Sequence, residues 1–238
     1  MMKDRELREV ETGHYFAPSE PDDVDLNEGS RDIKPLAPFV ISGGKNTERY
    51  YFIHVNNLSS KFKFNVRPKY FGDESAYTEV FPNRIKEILS KNADAKIFCV
   101  FDMDAVIRQD LLAKHEAFIE SLREEIASGQ VTICDSMPSF EFWLLLHFVD
   151  YEGLLKNYGE ISQVLAPHIK PYFEESTKGL KKLLKSEKYL QDGNWVRRLI
   201  DEGRIEQAVA RAKACIERVM KEEEPQSYSN VYKAFETN

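Results

Sequence analysis

The sequence predicts an α/β fold, with a mostly parallel sheet flanked by helices and a helical C-terminal part. Short apolar runs alternate with helical patterns between residues 36 and 150. That alternation is typical of parallel strands joined by crossover helices. From residue 151 onward the patterns are only helical or basic. The 238 residues are 42% hydrophobic, so the chain is long enough to bury one substantial core.

Three parts follow from these patterns. Residues 1–35 are rich in Asp, Glu, Pro and Gly, which predicts an acidic flexible arm without a core of its own. Residues 36–150 form the predicted α/β core. Residues 151–238 form a helical region that packs on the core.

Each element of the core has its own pattern. Strands are predicted from apolar runs at 38–42, 62–66, 96–101 and 131–135, the second of them alternating like an edge or half-buried strand. Helical spacing predicts helices at 50–58 and 80–89, and one long amphipathic helix at 105–127 that ends at Gly129. The almost wholly apolar segment 140–149 predicts a buried helix, and a further helix is expected at 205–220.

Charge and composition argue against a protein with an overall basic surface for nucleic acid and against a membrane-spanning protein. The net charge is −7 and the pI about 5.4, so nucleic acid would have to be bound by a local patch or through a partner. No apolar stretch approaches the about 18 residues that a membrane span needs. The three cysteines lack Cys-x-x-Cys spacing and are expected to be buried structural residues. We therefore expect a cytoplasmic protein without membrane contact.

Two carboxylates, Asp102 and Asp104, follow the apolar strand at 96–101. Carboxylates held a few Å apart repel one another unless a cation neutralises them, and Mg²⁺ or Mn²⁺ prefers such oxygen ligands. Helix capping and turn formation remain the alternative.

Two glutamates are expected beside these aspartates. Glu48 follows the turn after the first strand, and Glu141 follows the fourth strand. Because the carboxyl ends of parallel strands meet at one edge of a sheet, the four carboxylates can surround one or two metal ions. Alternatively, each glutamate only interacts favourably with the positive end of the dipole at the start of its own helix.

The turn after the first strand can bind phosphate through Gly44, Lys45 and Thr47. It lacks the spacing of a Walker A loop, so ATP hydrolysis is not expected. A turn that needs glycine only for its backbone angles is the alternative. The basic segment around Lys178 can bind phosphate or be an ordinary solvated helix face. His147, inside the apolar helix, is expected to be a hydrogen-bonded core residue.

Four strings carry a family resemblance: ISGGKNTERYYF at 41–52, VFDMD at 100–104, SMPSFEFWLLLHF at 136–148 and PQSYSNVYK at 225–233. The chain resembles the RloB family of bacterial defence proteins over about residues 39 to 236. The resemblance implies a Toprim-like fold related to the OLD-family nucleases, in which acidic residues bind two metal ions.

The resemblance also implies roles for particular residues. Glu48, Asp102, Asp104 and Glu141 match the metal-binding acids; Ser139 matches the serine of the Ser-x-Glu piece and is expected at the phosphate. Lys178 matches the assisting lysine. The family usually has Glu-Gly at the first turn, where this chain has Gly43-Gly44, so the leading glutamate is replaced by Gly43.

Two functions from different classes remain open. The first is a Mg²⁺- or Mn²⁺-dependent nuclease that cuts DNA or RNA, including transfer RNA, as the effector of abortive phage defence. An ATPase encoded alongside is the implied partner, and a homodimer is possible. The second is a non-catalytic subunit that keeps the Toprim-like scaffold only to assemble with that ATPase.

Overall fold

The computed structural model describes residues 37–44, 46–67, 77–108, 111–221 and 225–236. Within these ranges one sheet has the strand order β2-β1-β3-β4-β5. The strands are β1 (Phe39–Ser42), β2 (Asn65–Arg67), β3 (Ile97–Asp102), β4 (Val131–Met137) and β5 (Tyr228–Ser229). The first four are parallel, and β5 is antiparallel to β4. The predicted α/β class is confirmed, and β2 is an edge strand as expected.

Helices connect the strands and continue beyond them. The helices before β4 are α1 (Thr47–Leu58), α2 (Tyr77–Lys91), α3 (Met103–Arg108), α4 (Leu112–Ser121) and α5 (Arg123–Ala127). Those after it are α6 (Phe140–Leu146), α7 (Tyr158–Ile169), α8 (Leu180–Lys185), α9 (Glu187–Leu190), α10 (Asn194–Asp201) and α11 (Arg204–Lys221). Short 3-10 turns lie at Lys170–Tyr172 and Val231–Phe235.

The prediction of a single long helix at 105–127 is wrong. The structure has α3, α4 and α5 there, with residues 109 and 110 outside the described part. The break between α4 and α5 is at Leu122, whose backbone N–H bonds the Ile119 carbonyl at 3.1 Å. Leu122 itself is buried, so the apolar spacing continues across the break and conceals it. The expected end at Gly129 is confirmed, with φ of 76°.

Strand β5 corrects the expectation that only helices follow residue 151. Two residues are too few to show an alternating pattern. Side chains hold the pairing: the hydroxyls of Ser136 and Ser229 lie 2.8 Å apart. The Tyr228 hydroxyl and the Asn230 amide both donate to Asp135, at 2.7 and 2.9 Å.

The sheet buries a different core on each face, because successive strand residues point to opposite sides. Val40, Phe98 and Val100 face α1, α6 and the C-terminal helices. Ile41 and Phe101 belong to the other core, which α2 and α4 cover. The end of β3 therefore directs Phe101 and Asp102 to opposite faces.

Phe235 joins the C-terminal segment to the first of these cores. Its ring lies 5.0 Å from Phe62, 5.5 Å from Phe64 and 5.4 Å from Trp143, measured between centroids. All four rings are buried. Residues from both predicted parts, 36–150 and 151–238, thus fill one hydrophobic core.

Other expectations concern the membrane, the cysteines and the arm. No helix in the described ranges is long and apolar enough to cross a membrane. Cys99, Cys134 and Cys215 are buried and form no disulfide within the described residues, in agreement with structural roles. The predicted arm, residues 1–35, lies outside the described residues.

Candidate active site

The site lies at the carboxyl ends of β3 and β4. Asp102 is the last residue of β3, and its Oδ1 accepts a hydrogen bond of 2.8 Å from the Phe140 backbone N–H. Phe140 begins α6, and the first N–H groups of a helix have no partner within it. Asp102 therefore caps the neighbouring helix while its carboxylate stays at the sheet edge.

Glu141 is the most buried of the acids, with 1% of the residue exposed. The Ser139 hydroxyl donates to Oε2 at 2.6 Å, and the Lys185 ammonium lies 2.6 Å from Oε1. A buried carboxylate is costly unless it is paired and hydrogen-bonded. These two partners meet that requirement.

Glu48 enters the cluster from the first turn of α1 and is buried as well. Its carboxylate lies against the backbone of Gly44, where an added Cβ would overlap it. Burial raises the pKa of Glu48; Lys185 opposes the rise, and Glu141 adds to it. A glycine at position 44 is thus what gives this carboxylate its space.

The pKa of Asp102 is raised well above its ordinary value. Burial is the largest cause, followed by the negative charges of Glu48 and Glu141. Lys185 and the bond from the Phe140 N–H only partly offset these effects. Lys185 therefore offsets only part of what burial and the neighbouring carboxylates impose on Asp102.

Lys185 supplies the one positive charge seen to contact these acids in the described ranges. Burial opposes its charge, but Glu141, Glu48 and Asp102 together outweigh that effect, and the pKa of Lys185 is raised. The ammonium thus stays charged at any ordinary pH. Its position was missed in the sequence, where the assisting role is expected of Lys178.

The structure places Lys178 elsewhere. Its ammonium is 3.8 Å from the Glu175 carboxylate, with 43% of each side chain exposed. One signal distinguishes Lys185 in the sequence: α8 has apolar residues at 180, 183 and 184, which are buried and dock the helix beside the cluster. Lys178 precedes that helix.

Helix α1 holds the segment that carries Lys185. Thr47 Oγ1 donates to the Leu184 carbonyl at 2.5 Å, and Asn46 Nδ2 donates to the carbonyl of Lys185 at 2.9 Å. Further along α1, the Tyr50 hydroxyl donates to Glu187 at 2.5 Å. These contacts fix the backbone on both sides of the lysine.

The residues expected to bind phosphate have other contacts. The hydroxyl hydrogens of Thr47 and Ser139 go to Leu184 and Glu141, not to an exposed anion site. At Gly44 a phosphate would meet the Glu48 carboxylate. Lys45 lies outside the described residues.

Asp104 and Gly43 flank the cluster. Asp104 is buried, and its backbone N–H donates to the Pro138 carbonyl at 2.9 Å, beside the turn that leads to Ser139. A Cβ at Gly43 would lie 3.4 Å from the Cβ of Phe101. Position 43 thus faces the side of the sheet opposite Asp102, and Glu48 is the acid that the first turn brings to the cluster.

The donors fit a hard cation by their chemistry. Carboxylate oxygens are the ligands that Mg²⁺ and Mn²⁺ prefer, and burial together with the neighbouring acids raises the pKa values of Asp102 and Glu48, a cost that a bound cation would offset. Across the described ranges, however, no three His, Cys, Asp or Glu side chains are arranged as ligands of one metal ion. The Lys185 ammonium has the contact with Glu141 instead.

Fold and site together define an α/β protein with a buried acid-lysine cluster at the carboxyl edge of its parallel strands. The RloB-like protein family matches residues 39–237, and the chain belongs to that family. Comparisons with curated proteins and with solved structures gave no significant match.

Proposed function

We propose that this chain is a metal-dependent nuclease that hydrolyses phosphodiester bonds. The observation that carries the proposal is the meeting of Glu48, Asp102 and Glu141 with Lys185 at one sheet edge. Three acids from separate parts of the sequence converge at the place where open α/β sheets hold their sites. A buried excess of negative charge is unfavourable for the fold alone, which suggests a chemical use.

Asp102, Glu141 and Glu48 would hold Mg²⁺ or Mn²⁺. When bound, such an ion supplies an activated water and neutralises charge on the phosphate under attack. Asp104, two residues after Asp102 and also buried, is the further expected ligand. The Toprim-like character of the sheet belongs to this proposal and rests on the family resemblance.

The remaining residues orient and balance the site. Ser139 and Lys185 together fix both oxygens of Glu141. Glu48 is a ligand or the general base that accepts a proton from the attacking water. Lys185, rather than Lys178, stabilises the negative charge that develops on the phosphate.

The biological setting is proposed from family membership. The nuclease would be the effector of an abortive phage-defence system, coupled to an ATPase encoded alongside. A net charge of −7 predicts weak binding of nucleic acid by the chain alone, so a partner that delivers DNA or RNA fits the charge. A cytoplasmic location is part of the same proposal.

One observation favours the second function, a non-catalytic subunit that assembles with the ATPase. Lys185 occupies the contact with Glu141, and the described residues contain no ready-made group of metal ligands. A protein that had lost catalysis could keep such an internal ion pair. The sheet would then serve only as a scaffold.

Cleavage separates the two functions. The full-length chain would be incubated with DNA and with total RNA in Mn²⁺ or Mg²⁺, with and without the ATPase. We expect Mn²⁺-dependent cleavage that is absent from Asp102→Asn. Equal, metal-independent products from wild type and variant would indicate a contaminating nuclease, and no products under any condition would favour the subunit.

A further inference from the structure

Tyr158 lies beside the acid-lysine cluster, at the start of a helix that contributes none of the acids. It begins α7, directly after Asn157, whose side chain accepts from the Glu160 N–H and caps the helix. The Lys185 ammonium lies 5.8 Å from the centre of the Tyr158 ring. The same ammonium is 2.6 Å from Glu141, so the ring and the carboxylate both adjoin one charge.

The hydroxyl of Tyr158 is buried and has no hydrogen-bond partner in the described part of the chain. Other tyrosines differ: the hydroxyls of Tyr50, Tyr172 and Tyr228 each donate to a carboxylate. Buried hydroxyls are nearly always paired in folded proteins. An unpaired one beside a charged cluster therefore points to an acceptor that comes from outside the chain.

The surroundings determine what that acceptor can be. The pKa of Tyr158 is raised to about 12, chiefly by burial and then by the negative charge of Glu141, while Lys185 acts in the opposite direction. The hydroxyl consequently keeps its proton at neutral pH and acts as a donor. With an ammonium over the ring, the favoured acceptor is an anionic oxygen that can contact Lys185 as well.

We propose that the Tyr158 hydroxyl donates a hydrogen bond to a non-bridging phosphate oxygen of the substrate, which is seated against Lys185. This inference rests on the proposed nuclease function and adds a residue to its site. No proton is transferred from the tyrosine. The bond strengthens as charge builds on the phosphate, so its effect is greatest in the transition state.

Tyr158→Phe removes only the hydroxyl. We expect kcat for oligonucleotide cleavage in Mn²⁺ to fall by about 10²-fold, as for loss of one donor to a developing oxyanion. KM should change far less. The melting temperature should stay unchanged or rise, because an unpaired buried hydroxyl no longer has to be accommodated.

Tyr189→Phe is the matched control, since the Lys188 ammonium lies 5.1 Å from the Tyr189 ring in the same kind of contact. It should cleave like the wild type. If the wild type cleaves and Tyr158→Phe cleaves at the same rate, the inference is overturned while the nuclease function stands. If the wild type does not cleave DNA or RNA even with the ATPase, the proposed function and this inference are both refuted.

Discussion

The Thr47 hydroxyl donates to the carbonyl of Leu184, and this bond of 2.5 Å joins residues 137 positions apart in the chain. Because Lys185 is the next residue, the first helix sets the position of the lysine that balances the acids. The site is therefore a product of tertiary docking as well as of the strand ends.

Loss of the lysine should destabilise the fold. Lys185→Met leaves the Glu141 carboxylate buried without its counter-charge, and we expect the free energy of unfolding to fall by about 3 kcal/mol. The partly exposed lysine side chain, at 39%, keeps the loss from being larger. Urea unfolding measures it.

A second substitution and a control test the same ion pair. Adding Glu141→Gln to Lys185→Met should restore most of the loss, because no unpaired charge remains. Lys178→Met breaks only an exposed pair with Glu175 and should cost less than about 1 kcal/mol. Equal losses from Lys185→Met and Lys178→Met would contradict the buried pair.

Two variants of Asp102 should separate charge from capping. Asp102→Asn keeps an oxygen for the Phe140 N–H and removes the repelled charge, so stability should be unchanged or raised. Asp102→Ala also loses the cap and should be less stable than Asp102→Asn by about 1 kcal/mol. Both should lose cleavage. Thermal unfolding and cleavage assays on the two purified proteins are the measurements, and a cleaving Asp102→Asn would remove Asp102 from the site.

The glycine pair of the first turn offers another comparison. Neither glycine has a positive φ, so backbone strain does not enter. Gly44→Ala must displace the Glu48 carboxylate and should lower both the stability of the fold and the affinity for Mn²⁺. In Gly43→Ala, the comparison variant, the added Cβ makes only an ordinary contact of 3.4 Å. Calorimetric titration with Mn²⁺ compares the variants. A Gly44→Ala protein with wild-type affinity would show that Glu48 does not bind the ion.

Stability should depend on pH through His147. Burial lowers its pKa to about 3, a hydrogen bond to the Trp143 carbonyl opposes the shift, and nearby Arg211 adds to it. Its Nδ1–H donates to that carbonyl at 3.0 Å, so Nε2, 2.9 Å from the Tyr51 hydroxyl, accepts. His147 is thus the hydrogen-bonded core residue expected from the sequence, and the folded state holds its neutral ring.

The sign follows from that neutral form. Above the ordinary value of 6.5 both states are neutral and the stability is complete. As the pH falls below 6.5 only the unfolded chain gains the proton, so stability is lost by up to about 1.4 kcal/mol per pH unit, down to the folded pKa. Urea unfolding between pH 7 and 4 should show a smaller slope for His147→Gln than for the wild type, and His168→Gln, at an exposed histidine, is the control variant.

The basic face of α8 should contribute to nucleic-acid binding if the chain is a nuclease. Lys181 and Lys182 are exposed on the helix that ends in Lys185, and they form no ion pair with a described residue. The double variant Lys181→Ala, Lys182→Ala should weaken oligonucleotide binding. The slope of log affinity against log salt concentration should become shallower by about one for each lysine removed, because each lysine accounts for about one phosphate contact.

Fluorescence anisotropy over a range of salt concentrations measures that effect. Lys86→Ala with Lys96→Ala is the control, because these lysines are also exposed and Lys96 precedes β3, at the opposite end from Asp102. Equal weakening by both pairs would indicate only a general charge effect.

The strands and the acids were the predictable part of this protein. Long apolar runs in the sequence predict β3 and α6. The carboxyl ends of parallel strands lie at one edge of a sheet, so Asp102 and Glu141 could be predicted to lie close together. The apolar spacing of α8 indicates that the helix carrying Lys185 is docked, but not where it docks, because that depends on bonds from Thr47 and Asn46 across the fold. Likewise β5 is too short for a pattern, and Leu122 hides a break behind regular spacing. The metal site stays a prediction.

Phe235 has a consequence for how the protein is made. Its ring packs against Phe62 and Trp143, which lie much earlier in the sequence, and Trp143 belongs to the same short helix as Glu141. A ribosome must therefore translate past residue 235 before that helix has its complete support. A nascent chain that has not reached residue 235 would carry every acid of the cluster without yet holding them in place, so the site is assembled only after this residue has been translated.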